Sequence, residues 1–245
     1  MGVRFEREIA KHLREDHRIT PFSTYMRQIV YGGSDGIVTT FAVVAGFTGA
    51  QSGNTAMYSI VTVLLFGMAN LFADGTSMAV GEFLSSRSEG DIYHRQRKQE
   101  AESVNGDPQN EREQTKGLLK REGFTSEQAE QITELYAQNK SFWIDFMMKY
   151  ELSLEEPDEK PIINAVVTFF SFVMFGFIPL IPYLFDAAVM ASFYRSIAFT
   201  IGAMTLLGLL RWIVTKQQIF RSVGETVLLG VISASIAFFV GTLFR

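Results

Sequence analysis

Five apolar stretches, each long enough to cross a lipid bilayer, determine what this chain can fold into. A membrane-spanning helix needs about 20 predominantly apolar residues, and the sequence contains five such stretches, at about 29–50, 54–84, 161–184, 187–210 and 222–244. Of the 48 charged residues (22 Lys and Arg, 26 Asp and Glu), 10 lie in the first 28 residues and 28 lie between residues 85 and 160. The sequence therefore predicts an all-α integral membrane protein with five transmembrane helices. It excludes a soluble globule, a disordered chain and a disulfide-bonded secreted domain.

The distribution of charge also predicts how the chain is divided and oriented. Basic residues are frequent in the N-terminal arm, in the polar insert and in the connection between the fourth and fifth spans, and the other two connections contain none. Because cytoplasmic loops carry the excess of Lys and Arg, the N-terminus and the insert should face the cytoplasm. We expect four segments: a cytoplasmic arm (1–28), transmembrane helices 1 and 2 (29–84), a cytoplasmic helical insert (85–160) and transmembrane helices 3 to 5 (161–245).

The insert reads as a set of short helices. The second apolar stretch is longer than the hydrocarbon layer, so we expect one continuous helix to run through it into the insert as far as the break at 105–108. A helix over 110–121 should stop at Gly123, and Thr125 with Gln128 forms a capping-box pattern that opens a helix to about Asn139. Ser141 should open the last helix. In the third span, Pro179 and Pro182 should bend or end the helix.

Three carboxylates lie in the first two spans, where an ionisable side chain is costly. They are Asp35, Asp74 and Glu82, and the two predicted spans contain no Lys or Arg that could neutralise them. Counted from the ends of their spans, Asp35 and Asp74 differ in depth by about 7.5 Å, so they can face each other. Such carboxylates must be protonated, face water or bind a cation.

Met78 narrows the choice of cation. Asp74, Met78 and Glu82 are four residues apart in turn, so they share one helical face. A thioether is a soft ligand, so this set suits a transition metal such as Fe²⁺, with Mn²⁺ tolerated through the oxygens. Alternatively, Met78 is packing filler and Glu82 lies at the membrane surface.

The insert offers a second candidate set. Met147 and Met148 lie one turn before Glu151, so either sulfur can share a face with that carboxylate. A metal site and an ordinary solvated acidic face both remain open. The other acidic candidates lie on two successive helices and are Glu100, Glu102, Glu111 and Glu113.

Several functional classes are excluded by composition. The chain has no cysteine and a formal net charge of −4, which excludes thiolate metal sites and a strongly basic nucleic-acid surface. No nucleotide-binding loop, catalytic triad or HExxH helix occurs in the sequence. We therefore predict that the chain is not an enzyme. An intramembrane aspartyl enzyme built on Asp35 and Asp74 is the remaining enzymatic alternative.

Four motifs together resemble the vacuolar iron transporter (VIT) family. They are SDGIVTTFAVVAGFTGA at 34–50, ADGTSMAVGEFLSSRSE at 73–89, WIDFMMKYELSLEEPD at 143–158 and GFIPLIPY at 176–183. The resemblance implies a homodimer of five-helix subunits, proton-coupled export of Fe²⁺ or Mn²⁺ from the cytoplasm, and a three-helix cytoplasmic metal-binding domain after the second helix. The membrane would be a bacterial inner membrane or a vacuolar membrane.

The same resemblance assigns roles to individual residues. It implies a transport pathway through Asp35 and Met78, and metal ligands at Glu100, Glu102, Glu111, Glu113, Met147, Met148 and Glu151. Where the family pattern often places a second glutamate, three residues after the position of Glu111, this chain has Gln114.

We therefore hypothesise a divalent-metal/proton antiporter with no fixed cofactor, whose partners are metal ions, protons, the lipid bilayer and a second subunit, with no role for nucleic acid. The alternative is a membrane-anchored metal sensor or storage module that does not transport.

Overall fold

The computed structural model describes residues 21–50, 56–157, 160–185, 189–216 and 218–243. Most of the N-terminal arm, including its basic residues up to Arg18, lies outside these ranges. Every regular element within them is helical. The elements are α1 (Pro21–Thr24), α2 (Met26–Ala50), α3 (Ala56–Gly106), α4 (Pro108–Arg121), α5 (Ser126–Gln138), α6 (Lys140–Tyr150), α7 (Pro161–Phe177), a 3₁₀ turn (Ile178–Leu180), α8 (Ile181–Phe185), α9 (Val189–Thr215) and α10 (Ile219–Thr242).

Five of these helical stretches are long and apolar enough to cross a membrane. They are α2, α3, α7 with its continuation to Phe185, α9 and α10, and they confirm the five spans predicted from the apolar stretches. The chain divides into two compact units: the membrane unit, up to residue 82 and from residue 162, and the polar unit, residues 83–161. The continuous second helix is also confirmed, because α3 extends over 51 residues.

The third span is interrupted at its prolines, as predicted. The α7 helix ends at Phe177, and Pro179 lies in the 3₁₀ turn that follows. Proline has no N–H to continue a helical hydrogen-bond ladder. The hydroxyl of Ser196, which is fully buried on α9, donates to the Pro179 carbonyl at 2.7 Å. A neighbouring helix thus supplies a hydrogen bond to backbone at the interruption, as apolar surroundings require.

Glycines bring α2 and α7 together at backbone distance. A Cβ added to Gly32 would lie 2.8 Å from the Thr168 carbonyl oxygen, and one added to Gly36 would overlap the Phe172 carbonyl. Gly32 lies against Thr168 and Gly36 lies against Phe172. Residue numbers thus increase in the same direction on both helices, so the two helices run parallel. Small residues at such an interface allow the close van der Waals packing that associates helices in lipid.

The polar unit has its own apolar core, in which Trp143, Met147 and Met148 on α6 are almost completely buried. Local signals define its helices. Gly123 adopts φ +100° after α4, a conformation that side chains disfavour. The predicted capping box of Thr125 and Gln128 is confirmed at the start of α5. The last helix starts one residue before the predicted Ser141, because the Asn139 side chain caps it by accepting from the Phe142 N–H.

Candidate metal centre

Three glutamates from three parts of the polar unit converge on one point. Glu100 lies on α3, Glu111 lies in the first turn of α4, and Glu151 is the C-terminal cap of α6. Each offers a carboxylate oxygen, and these oxygens lie within 4.8 Å of one another. We call this set the carboxylate cluster. Carboxylate oxygens at this spacing match the donor set that divalent cations take from proteins.

The cluster is poorly satisfied by the protein itself. Glu100 and Glu111 are 8% and 5% exposed, yet Glu100 Oε1 and Glu111 Oε2 are buried without a hydrogen-bond partner. The side chains of Glu100 and Glu111 are neighbours, and they can share a hydrogen bond only when one of the two carboxyls is protonated. Buried polar atoms are normally paired, so two orphaned oxygens on adjacent carboxyls indicate a missing positive charge or a missing donor.

The pKa of every carboxyl in the cluster is raised, and burial is the largest cause each time. For Glu100, burial and then the charges of Glu111 and Glu151 raise the pKa to about 7. Burial, followed by the charge of Glu151, raises the pKa of Glu111, and burial alone raises the pKa of Glu151. A bound cation would reverse these shifts because it favours the ionised form.

Both predicted methionine ligands are fully buried on α6, one turn before Glu151. The Met147 sulfur lies 3.3 Å from the hydroxyl of Thr115, which is on α4 one turn after Glu111. The Met147 sulfur therefore lies beside the cluster-bearing face of α4. A soft sulfur next to hard oxygens suits a transition metal better than Mg²⁺ or Ca²⁺.

The structure does not bring the other two predicted glutamate ligands into the cluster. Glu113 is exposed and pairs with Lys116 at 3.1 Å. Glu102 is also exposed, and it lines an open polar cleft of about 590 Å³ together with Asp107 and Glu111. Each lies two residues from a cluster member, which is about 200° around a helix and so on another face.

In the membrane unit, Glu82 is paired with a basic residue that the sequence analysis assigned to the arm. Because α2 begins at Met26, Arg27 lies on the helix, and its guanidinium donates to Glu82 at 2.9 Å. The Gln28 amide also donates to Glu82, at 3.0 Å. The expectation that no basic residue could neutralise these carboxylates is therefore wrong for Glu82.

Asp35 on α2 and Asp74 on α3 lie at similar depth in the membrane unit. The helices are antiparallel, since Arg27 contacts Glu82 while Phe47 packs against Phe66. Counting eight residues along each helix from the Arg27–Glu82 contact (27 + 8 and 82 − 8) leads to Asp35 and Asp74. Counting from the Phe47–Phe66 contact (47 − 12 and 66 + 8) leaves an offset of four residues, about 6 Å. The predicted depth offset of about 7.5 Å therefore stays a prediction.

Met78, the last pathway candidate, is half-buried, as are Asp35, Asp74 and Glu82. Met78 lies one turn after Asp74 on α3. The Asn70 amide, one turn before Asp74, donates to Asp74 Oδ2 at 2.8 Å. An amide hydrogen bond stabilises an ionised carboxylate without neutralising its charge, so Asp74 can still bind a cation.

Comparison with known proteins identifies the family to which this architecture belongs. The family model described as VIT family matches residues 26–242. The chain belongs to the VIT family. Among its relatives, Vacuolar iron transporter 1 of Arabidopsis thaliana is 32% identical over 214 residues, covering 87% of this chain and 83% of the relative. Vacuolar iron transporter 1 of Eucalyptus grandis is 31% identical over 234 residues, covering 94% and 92%. The vacuolar iron transporter of Toxoplasma gondii is 32% identical over 251 residues, covering 98% and 80%.

The VIT family match includes both candidate sites, since all their residues lie between 26 and 242. The VIT family is a transporter family rather than an enzyme class, which disfavours the intramembrane aspartyl enzyme.

Four residues that contact the candidate sites were missed by the sequence analysis: Arg27, Gln28, Asn70 and Thr115. Thr115 was detectable, because it lies four residues after Glu111 and four before Leu119 on the predicted helix. Asn70 was detectable too, because it lies four residues before Asp74 on the same helix. Arg27 and Gln28 had no comparable signal, because their partner depends on how two helices are aligned.

Proposed function

We propose that this chain transports a divalent transition metal ion, Fe²⁺ or Mn²⁺, out of the cytoplasm in exchange for protons. One observation carries the proposal: a cluster of three carboxylates with two orphaned buried oxygens, in a chain that has five candidate membrane spans and belongs to the VIT family. The relatives named above are called vacuolar iron transporters, which supports iron as a substrate here.

In the proposed cycle, the polar unit lies in the cytoplasm and collects the metal ion. Glu100, Glu111 and Glu151 supply the oxygen ligands, and a buried methionine sulfur of α6 supplies the soft one. This ligand set favours transition metals over the more abundant Mg²⁺ and Ca²⁺, whose hard ions gain nothing from a thioether.

The ion is then passed to Asp35, Asp74 and Met78 in the membrane unit. The two aspartates on neighbouring helices provide negative charge that a divalent ion compensates. Protons entering from the other side of the membrane compete for the same carboxylate lone pairs, so protonation releases the metal ion. Glu82 begins the path on the cytoplasmic side, and Arg27 limits its charge until an ion arrives.

Further parts of the proposal concern assembly and location. The transporter acts as a homodimer in a bacterial inner membrane or a vacuolar membrane, with its N-terminal arm (1–28) and polar insert (85–160) in the cytoplasm. The clean alternation of basic residues between successive connections supports this orientation.

The alternative of a membrane-anchored metal sensor or storage module is not favoured. An anchor needs no carboxylates at membrane depth, yet Asp35 and Asp74 both lie in candidate spans and are half-buried. The relatives over most of the chain are named as transporters.

The decisive experiment is ion-by-ion flux in proteoliposomes with an imposed pH gradient. We expect Fe²⁺ and Mn²⁺ to move against protons, and Asp35→Asn to reduce that flux at least about tenfold, since a neutral amide can neither ionise nor take a proton. Glu225→Gln is the matched control, because Glu225 also lies in a candidate span but is paired with Arg211 and Arg221.

The outcomes separate the hypotheses. Normal flux in Asp35→Asn would contradict the proposed pathway through Asp35 in the membrane unit. Metal binding without flux of any tested ion in the unmodified protein would support the sensor or storage module. Metal flux that is independent of the pH gradient would support metal transport and contradict proton coupling.

A further inference from the structure

A buried hydrogen-bond chain connects α6 to α4 beside the carboxylate cluster. The Trp143 indole N–H donates to the Thr115 hydroxyl at 2.7 Å, and that hydroxyl lies 3.3 Å from the Met147 sulfur. Trp143 is 1% exposed, and Thr115 and Met147 are completely buried. Water therefore has no access to these groups, and the Thr115 hydroxyl is the polar contact of both the Trp143 N–H and the Met147 sulfur.

The Thr115 hydroxyl has two possible acceptors but only one proton. It lies 2.8 Å from the Glu111 carbonyl oxygen, one turn earlier on α4, and 3.3 Å from the Met147 sulfur. A hydroxyl donates one hydrogen bond and accepts up to two, and Trp143 occupies one of the two accepting positions. The proton can therefore point to the sulfur or to the carbonyl, and neither choice leaves the hydroxyl without a partner.

This arrangement places the Met147 sulfur one helical turn from a cluster carboxylate, with a hydroxyl donor that can turn away from the sulfur. Glu111 with Thr115, and Glu151 with Met147, are both pairs four residues apart on a helix, where side chains are neighbours. The layer of Thr115 and Met147 thus adjoins the layer of carboxylates. When a metal ion takes a sulfur lone pair, the hydroxyl proton can turn to the Glu111 carbonyl.

We propose that Thr115, held by Trp143, is a positioning residue that orients the Met147 sulfur for a soft metal ion, and so determines how strongly the cluster prefers soft ions over hard ones. The inference rests on the proposed function, because it requires the carboxylate cluster to bind the transported ion. It also distinguishes the two methionines, since Met147 is the one that contacts Thr115.

The test measures binding of two ions to the full-length protein in detergent. Cd²⁺ serves as the soft probe and Mn²⁺ as the hard one. Thr115→Val keeps the shape of the side chain and removes the hydroxyl, and Thr115→Ser keeps the hydroxyl. We expect Thr115→Val to weaken Cd²⁺ binding about fivefold, the effect of losing one ordinary hydrogen bond. Mn²⁺ binding should change less than about twofold, and Thr115→Ser should restore both.

A double-mutant comparison tests whether Thr115 acts through Met147. In a Met147→Leu protein, Thr115→Val should have no further effect on the preference for Cd²⁺. In a Met148→Leu protein, the same substitution should keep its full effect. Met148 is the matched control, because it is on the same helix, equally buried and adjacent in sequence. If Thr115→Val does not fold, Trp143→Phe removes the anchor of the hydroxyl instead and should lower the preference for Cd²⁺ in the same direction.

Two results would overturn the inference directly, and a third would overturn the metal centre on which it rests. One is an equal loss of Cd²⁺ and Mn²⁺ binding in Thr115→Val, which is what a purely structural role produces. The other is an effect of Thr115→Val that persists in the Met147→Leu background. If Glu111→Gln leaves Mn²⁺ binding unchanged, the metal centre itself is wrong and this inference falls with it. If binding behaves as expected but the liposomes show no flux, only the transport proposal fails.

Discussion

Metal binding to the carboxylate cluster should release protons near neutral pH. The pKa of Glu100 is raised to about 7, first by burial and then by the charges of Glu111 and Glu151. A metal ion binds the ionised carboxylate and must displace the proton wherever Glu100 is protonated. Affinity should therefore fall as the pH falls through the pKa of Glu100.

The size of the effect follows from that pKa. Ionised Glu100 makes up about nine-tenths of the population at pH 8 and about one-tenth at pH 6, so Glu100 alone weakens binding about tenfold over this interval. At pH 7 about half a proton leaves Glu100 for each ion bound. Glu111 and Glu151, whose pKa values are also raised, can only add to both quantities.

Titration calorimetry with Mn²⁺ in buffers of different ionisation enthalpy measures the released protons directly. Glu100→Gln should remove the pH dependence that belongs to Glu100. Glu102→Gln is the matched control, because Glu102 is two residues away on the same helix but exposed and outside the cluster. It should retain both the affinity and the proton release of the unmodified protein.

Equal affinity at pH 6 and pH 8, or no proton release at pH 7, would show that Glu100 does not bind the ion. A pH dependence that disappears in Glu102→Gln as well as in Glu100→Gln would contradict the placement of the cluster.

Three shorter predictions follow from the packing and the cluster. Gly36→Ala should lower the unfolding temperature in detergent, with an overpacking penalty of about 1–3 kcal/mol, since a Cβ there would overlap the Phe172 carbonyl. Gly202→Ala, in open space, should not. Thr125→Ala should destabilise the polar unit by about 1 kcal/mol in chemical denaturation, because it removes the α5 capping box; an unchanged midpoint would show that the cap is dispensable. The metal-free protein should become less stable as the pH rises from about 5 to 8, because the folded state holds the Glu100 proton more tightly than the unfolded chain does. Saturating Mn²⁺ should remove that trend, and a rise in stability with pH would contradict the raised pKa of Glu100.

The helices were largely predictable because their signals are local. Apolar length alone found the five candidate spans, and the capping residues of α5 are adjacent in sequence. The break in the third span follows from a property of proline itself. None of these inferences needed to know which helices are neighbours.

The composition of the candidate site was only partly predictable, because it depends on helical phase. Glu100 and Glu102 are equally acidic in sequence, yet only Glu100 turns toward Glu111 and Glu151. The inward face of α3 is chosen by the core residues of the polar unit, among them Tyr93 and Val104. The sequence therefore supplied five candidate glutamates in the insert, of which three lie in the cluster.

The sequence also could not predict how neighbouring helices are aligned along their axes. The ion pair of Arg27 with Glu82 and the relative depth of Asp35 and Asp74 depend on how far α2 is shifted along α3. That shift results from side-chain packing in the apolar cluster to which Phe41 and Ala45 of α2 belong and against which Leu64 and Met68 of α3 pack. Apolar stretches have indistinct ends, so counting from those ends cannot recover it.

The glycine contact between α2 and α7 has a mechanical consequence. At Gly36, Phe172 and Gly176 the backbones of the two helices are in direct contact. Rotation of either helix about its own axis would bring a larger side chain into this contact, where there is no room for it. The two helices therefore move together as a rigid pair. Any rearrangement that alternately opens the Asp35 side of α2 to the two aqueous compartments must carry α7 with it.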